Sequence, residues 1–415
     1  MKITTLLRKI AGDSTVLRVF MRTLRAVILK LRYKLRGLFV RTDGRLVVFS
    51  AYNGKSYACS PRAVYEKMLN DPRFSEFRFV WLFDDPEAHR DLEKNRATFV
   101  IKNRSRECEA ALIKAGYWIF NFRAYDHWLP RRTQTYVQCW HGTPLKRLGY
   151  DITRSDNAMN SIAEIRSKYR SDAKRFSYLL SSCPFVTEKF SSAWALDRFA
   201  KSGTILETGY PRNDFLRSFT TEDAKAVREK LGLSDCDKKL ILYAPTWRDN
   251  RYDASRGYVY DCPVDFNYLK RELSDEYIIL FRAHYLVASS FDFDAYKGFI
   301  LNVSDWDDIN ELYIIADMLI TDYSSVFFDY AILRRPMLFY MYDMEAYRDE
   351  LRGFYLELSE LPGPIVTTER ELAEAVRTAK TDAKQLDRFN AAYNSLNDGK
   401  AAERLTDKIF GETEI

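Results

Sequence analysis

The chain has 415 residues, of which 47% are hydrophobic and 15% aromatic, a composition that supports well-packed cores and excludes a mainly disordered protein. This length exceeds what one compact core usually serves, so we expect two domains of about 150 to 200 residues. The sequence has no uninterrupted apolar run long enough for a transmembrane helix. Six scattered cysteines without a CxxC pair predict a reduced, cytosolic protein without a structural metal.

The net charge of +6 is concentrated at the N-terminus. Residues 1–40 contain ten Lys or Arg against one acid, Asp13, so they carry +9 and the rest of the chain carries −3. Apolar residues recur there at the three- and four-residue spacing of one helix face, namely Leu17, Phe20, Met21, Leu24, Ile28, Leu31 and Leu35. This pattern favours an amphipathic helix in an anionic membrane interface. The alternative is a helix packed on the protein body with a basic outer face.

Strand-like and helical segments alternate after residue 40. In the first half the predicted strands are 46–52, 78–83, 98–101, 117–122, 135–140, 178–182 and 205–208, with helices at 61–69 and 107–115. In the second half the predicted strands are 239–244, 277–281, 299–303, 318–321 and 336–340, with helices at 265–273, 309–316 and 325–333. The alternation predicts an α/β protein with two facing, Rossmann-like, doubly wound domains.

We expect four segments along the chain. They are a basic amphipathic segment at 1–40, a first Rossmann-like domain at 41–215, a second at 216–395, and a C-terminal helix or tail at 396–415. Ligands of such folds bind at the carboxyl ends of the strands, where helix N-termini converge. The chemistry should therefore come from strand ends of both domains.

One of only four histidines, His141, ends an apolar run that is typical of a buried strand. The strand passes into the turn Gly142-Thr143-Pro144, and Lys146 stands where the next helix would begin. Imidazole titrates near neutral pH and can accept a proton from a substrate hydroxyl. His141 is therefore the first candidate for a general base.

Four further segments directly follow predicted strands. They are Gly209-Tyr210-Pro211-Arg212-Asn213-Asp214, Tyr243-Ala244-Pro245-Thr246-Trp247-Arg248-Asp249, Phe281-Arg282-Ala283-His284, and Ile320 through Tyr330. In the last, Ser324 and Ser325 stand at a predicted helix start, where free N–H groups and hydroxyls can hold a phosphate. Taken alone, a simple capping role for Ser324 is the better interpretation, since Ser is among the commonest caps.

Arg282 and His284 stand two residues apart at one strand end, so they face the same side. Together they would neutralise the charge of a phosphate without a metal ion. In isolation, His284 is interpreted equally well as a core histidine.

Together these segments resemble the CDP-glycerol glycerophosphotransferases, which build and prime teichoic acids and related poly(alditol phosphate) capsules on the cytoplasmic membrane face. The resemblance covers about residues 45–390 and rests on five ordered motifs, which begin at His141, Gly209, Ala244, Phe281 and Thr321. The stretch from Asn53 to Ala63 also resembles the family's first strand-to-helix turn. In one departure, Tyr285 follows the Arg-x-His motif where many members have Pro.

The resemblance implies a GT-B-type fold, with the acceptor in the first domain and the CDP-alditol in the second. It predicts His141 as general base and His284 as a second catalytic residue, and neither a metal nor a cofactor. Predicted donor-binding residues are Arg282, Ser324, Ser325, Asp329, Thr246 and Arg248. Predicted acceptor-binding residues are Gly142, Thr143, Lys146, Arg212 and Asp214.

The predicted reaction moves glycerol phosphate from CDP-glycerol to a hydroxyl of a lipid-linked glycan acceptor and releases CMP. The predicted location is the cytoplasmic face of the membrane, where residues 1–40 contact anionic lipid. CDP-ribitol as donor, or a sugar-nucleotide glycosyltransferase on the same fold, are the alternatives. The charge of −3 on the rest of the chain argues against nucleic-acid binding, and the intact motifs argue against an inactive scaffold.

Overall fold

The structure is a computed structural model that describes residues 15–153, 161–246, 252–253, 257–258, 264–283, 291–344 and 353–411. It contains two parallel-sheet α/β domains, as the alternating pattern predicts. An N-terminal helix, α1 (Thr15–Gly37), precedes the first sheet. No helix in the described ranges is long and apolar enough to cross a membrane.

The first domain holds a seven-stranded parallel sheet. Its strands are β1 (Asp43–Ser50), β2 (Arg78–Phe83), β3 (Thr98–Lys102), β4 (Ala115–Phe120), β5 (Thr135–Gln138), β6 (Tyr178–Ser181) and β7 (Ile205–Glu207). Their order is β3-β2-β1-β4-β5-β6-β7. The helices are α2 (Cys59–Leu69), α3 (Arg106–Lys114), α4 (Ile162–Ala173), α5 (Pro184–Trp194) and α6 (Leu196–Phe199). The order reverses between β1 and β4, which makes their carboxyl ends a topological switch point.

The second domain holds a six-stranded parallel sheet. Two short helices, α7 (Phe215–Ser218) and α8 (Thr221–Lys230), lead into β8 (Lys239–Ala244), and a small ribbon of β9 (Tyr252–Asp253) and β10 (Gly257–Tyr258) follows. The later strands are β11 (Tyr277–Phe281), β12 (Ile300–Asn302), β13 (Met318–Thr321), β14 (Met337–Tyr340) and β15 (Ile365–Val366). The sheet order is β12-β11-β8-β13-β14-β15, so the second switch point lies between β8 and β13.

Helices cover this second sheet and the end of the chain. They are α9 (Phe266–Leu273), α10 (Ile309–Ile315), α11 (Val326–Tyr330), α12 (Glu369–Thr378), α13 (Ala383–Tyr393) and α14 (Ala401–Phe410). The last of these returns to the first domain, where Phe410 packs on Phe74, Phe77 and Tyr117. This helix therefore packs on the first domain, although it follows the second domain in the sequence.

The strands are apolar along nearly their whole length because helices cover both faces of each sheet. All five residues of β11 and all four of β13 are buried. This continuous burial is why four predicted strands, 78–83, 239–244, 277–281 and 318–321, have the observed bounds.

Helix α1 lies against α3 with its apolar stripe turned away from the protein. Tyr33 is buried beneath the helix, and Arg32 and Arg36 both pair with Glu109 at 2.5 Å. The outward residues are at least 47% exposed and follow helical spacing, namely Leu24, Val27, Ile28, Leu31, Leu35 and Leu38. The helix packs on the protein body, as the alternative expects, and its exposed side carries this apolar stripe as well as basic residues such as Lys34.

Candidate active site between the two sheets

At each switch point, a hydrogen bond to a side chain joins the turns that follow the two central strands. At the first, the backbone N–H of Tyr52 after β1 donates to Oδ1 of Asn121 after β4, at 2.7 Å. At the second, the backbone N–H and the hydroxyl of Thr246 after β8 donate to Oδ1 of Asp322 after β13, at 2.8 and 2.6 Å. These bridges fix the turns at the positions where open α/β sheets bind ligands.

A cavity of about 270 Å³ opens between the domains. The first domain contributes the turn from Trp140 to Lys146, together with Leu148, and the second contributes Thr246, Tyr323, Ser324 and Ser325. Seven predicted site residues therefore share one cavity, namely His141, Gly142, Thr143, Lys146, Thr246, Ser324 and Ser325. Residues predicted to bind donor and acceptor face each other across it.

The imidazole of His141 is oriented by the backbone. Its Nδ1 lies 3.0 Å from the carbonyl oxygen of Asn121, which can only accept, so Nδ1 carries the proton and Nε2 keeps its lone pair. Trp140, in left-handed conformation with φ +52°, stacks on the ring at 4.5 Å. Desolvation lowers the pKa of His141 below its ordinary 6.5, and the charge of Arg212 acts in the same direction. A neutral imidazole with a free Nε2 has the form that a general base needs.

Gly142 of the first domain lies close to Ser325 of the second. A Cβ built there would lie 2.9 Å from Oγ of Ser325, so a larger residue would displace the serine. Ser325 occupies the N-cap position of α11, yet its hydroxyl makes no capping hydrogen bond. Simple capping therefore does not account for this serine, and its hydroxyl is available to a ligand.

Arg282 follows β11 and lies outside that cavity. Its Nη1 donates to the carbonyl oxygens of Val303 and Trp306, at 3.0 and 2.7 Å, and desolvation lowers its pKa. His284, predicted as the second catalytic residue, and Arg248, a predicted donor ligand, lie outside the described residues.

Arg212 and Asp329 form an ion pair between the two domains. The buried guanidinium of Arg212 contacts both carboxylate oxygens of Asp329 at 2.9 to 3.2 Å, and Asn213 donates to the same carboxylate at 2.8 Å. The nearby carboxylate raises the pKa of Arg212 against the effect of burial. This ion pair links the first domain to α11 of the second, and neither residue lines the cavity described above.

Asp214 is likewise occupied by the backbone. Its two carboxylate oxygens accept from the N–H groups of Ala401 and Ala402, at 2.9 and 2.7 Å, at the start of α14. Burial raises its pKa. Its contacts fix the returning C-terminal helix.

Sequence reasoning missed Asn121 and Tyr52, and it gave Asp322 no role. The predicted strand 117–122 includes Asn121, whereas β4 ends at Phe120 and leaves Asn121 directly after the strand. A polar residue that closes an apolar run is the signal that could have found it.

Comparison with known proteins identifies the family. The model of the family CDP-Glycerol:Poly(glycerophosphate) glycerophosphotransferase matches residues 32–411. The chain belongs to this family. The membership predicted from the five motifs is confirmed, and it places the chemistry of the chain in glycerophosphate transfer.

Individual relatives agree with this assignment. The chain is 37% identical to a teichoic acid poly(glycerol phosphate) polymerase of Bacillus spizizenii over 94% of this chain and 98% of that protein. It is 39% identical to the polymerase of the same name from Bacillus subtilis over 88% of this chain, but spans only 48% of that protein. The structure of the wall teichoic acid polymerase TagF superposes with a TM-score of 0.82 at 35% identity, covering 95% of this chain and 97% of that one. The predicted two-domain fold and the predicted class of reaction are confirmed.

Proposed function

We propose that this protein transfers glycerol phosphate from CDP-glycerol to a terminal hydroxyl of a lipid-linked acceptor during teichoic acid or capsule synthesis. The observation that carries the proposal is the shared cavity, in which His141 of the first domain lies opposite Ser324 and Ser325 of the second. Family membership and the polymerase relatives support the same donor.

In the proposed step, Nε2 of His141 takes the proton of the acceptor hydroxyl. The hydroxyl oxygen attacks the β-phosphorus in line, a new P–O bond forms, and the pyrophosphate P–O bond breaks to release CMP. The hydroxyls of Ser324 and Ser325 are placed to donate to the pyrophosphate, and the cation of Lys146 lies on the acceptor side. Such transfer depends mainly on positioning and on charge stabilisation.

The test replaces His141 with Asn, which removes the base and keeps a polar side chain. We expect CMP release in the presence of an acceptor analogue to fall by about 10² to 10⁴, while CDP-glycerol still binds in calorimetry. His127→Asn, in the same domain but away from the cavity, is the matched control. Near-normal turnover of His141→Asn would contradict the base assignment. Parallel reactions with CDP-ribitol and UDP-sugars identify the donor by the nucleotide released.

We further propose that α1 seats the protein on the membrane surface. Its outward stripe, including Leu31 and Leu35, is exposed, and basic residues flank it. Leu31→Ser with Leu35→Ser should weaken flotation with phosphatidylglycerol vesicles, whereas Phe99→Ser, an exposed apolar residue on β3, should not. Equal flotation of all three proteins would count against this seat.

A further inference from the structure

A second large cleft lies at the amino-terminal ends of strands in the first sheet, whereas His141 follows the carboxyl end of β5. Its volume is about 1080 Å³, and its walls include the first residues of three adjacent strands, Thr135 of β5, Tyr178 of β6 and Ile205 of β7. His141 follows the other end of β5, up to roughly 20 Å away along the extended chain. The cleft is therefore separate from the cavity that holds the proposed chemistry.

The walls of this cleft are strongly basic. Its seven cationic residues are Lys34, Arg131, Arg132, Lys174, Arg175, Lys201 and Lys408, and no Asp or Glu occurs among the described residues that line it. Two of the seven, Arg131 and Arg175, are held by other groups of the protein. Arg131 donates to the carbonyl oxygens of Gly37 and Val40, and Arg175 pairs with Asp172.

The other five are free to meet a ligand. Lys34, Arg132, Lys174, Lys201 and Lys408 are exposed, and within the described parts of the chain none of them pairs with a carboxylate. Five like charges around one concave surface repel each other, and an anion relieves that repulsion. The volume equals that of a large ligand pocket, which suits several linked phosphates better than a single phosphate ion.

The position of the cleft beside α1 indicates which anion it serves. Lys34 belongs to α1, at the border between the face that packs on the body and the outward apolar stripe. If the stripe enters the bilayer, the cleft opens at the membrane surface, where a lipid-anchored chain emerges. We propose that this cleft binds the phosphodiester chain of the growing poly(alditol phosphate), close to its lipid anchor, while the free end reaches His141.

This assignment rests on the proposed function and adds a consequence to it. A chain held in the cleft keeps its free end at a raised local concentration near His141. Because the attraction is between exposed charges, salt should weaken it.

The experiment uses the full chain and a soluble oligo(glycerol phosphate) of defined length, without donor nucleotide. Lys174→Glu with Lys201→Glu should weaken its binding by roughly tenfold or more, and should shorten the products of the transfer reaction. The neutral pair Lys174→Gln with Lys201→Gln should show a smaller loss in the same direction. Lys225→Glu with Lys384→Glu, two exposed lysines of the second domain, is the matched control and should bind as the unaltered protein does.

Unchanged oligomer binding in both cleft variants would overturn the assignment. Unchanged oligomer binding with lost binding to phosphatidylglycerol vesicles would also overturn it, and would assign the cleft to lipid headgroups instead. Oligomer binding is measured without CDP-glycerol, so it is independent of turnover. Absence of any transfer by the unaltered protein would refute the proposed function and leave the binding result to be judged by itself.

Discussion

The buried ion pair between Arg212 and Asp329 provides the sharpest test of the structure. Both residues follow strand ends and were predicted as ligands, yet they bind each other across 117 positions of sequence. Asp329→Ala should leave the guanidinium of Arg212, only 3% exposed, without its charge partner. Breaking such a pair costs about 3 to 5 kcal/mol, which lowers the melting temperature of a domain of this size by roughly 6 to 20 °C.

The assay compares thermal unfolding of three variants and measures CDP-glycerol binding by calorimetry. Replacing both partners with Leu should be less destabilising than Asp329→Ala, because no unpaired charge remains. Asp387→Ala removes an exposed pair with Arg334 in the same domain, and should change stability by about 1 kcal/mol or less. If Asp329→Ala melts like the unaltered protein but loses CDP-glycerol affinity, Asp329 is a donor ligand and the structural argument is refuted.

Three further predictions concern the cavity. Because desolvation lowers the pKa of His141, the imidazole stays neutral to lower pH, and the acid limb of kcat/KM should lie below pH 6.5; a limb above it would contradict the lowered pKa. Gly142→Ala should reduce kcat, since the added Cβ would meet Oγ of Ser325. The double variant Gly142→Ala with Ser325→Ala should relieve this clash but recover less than full activity. A crystal structure of each variant would show whether the clash is present. Asp322→Ala should raise KM for CDP-glycerol, because the Thr246 turn loses its acceptor, whereas an unchanged KM would remove Asp322 from donor positioning.

The sequence alone predicts the strands well. It predicts some helices, and the contacts between strand-end residues, poorly. Strands such as β8 and β11 are buried on both faces, so their apolar runs mark them directly. Helices such as α8 were not predicted, because only Val227 of its ten residues is buried and the apolar signal is weak. Periodicity carries no information about which strand-end residues meet in space.

Because the sequence does not show which strand-end residues meet in space, only some of the predicted site residues line the cavity. The strand-end rule selected residues that line the cavity, such as His141 and Ser325, together with residues that bind other parts of the protein, such as Arg212 and Asp214. Residues of both groups lie in segments that follow predicted strands, so the sequence does not distinguish them. Their contacts separate them: protein partners bind the charged groups of Arg212 and Asp214, whereas His141 and Ser325 border the cavity.

The connecting ion pair also has a direct consequence for the chemistry. Asp329 stands four residues after Ser325, one turn later along α11, so both lie on the same side of that helix. Arg212 and Asn213 of the first domain hold Asp329, and through it they hold the start of α11 against Gly142. The Arg212–Asp329 pair, outside the cavity, is therefore one of the contacts that hold the His141 turn near the two serines. Since group transfer depends on the alignment of both substrates across that gap, we expect this ion pair to influence the rate by holding the two sides of the cavity in position.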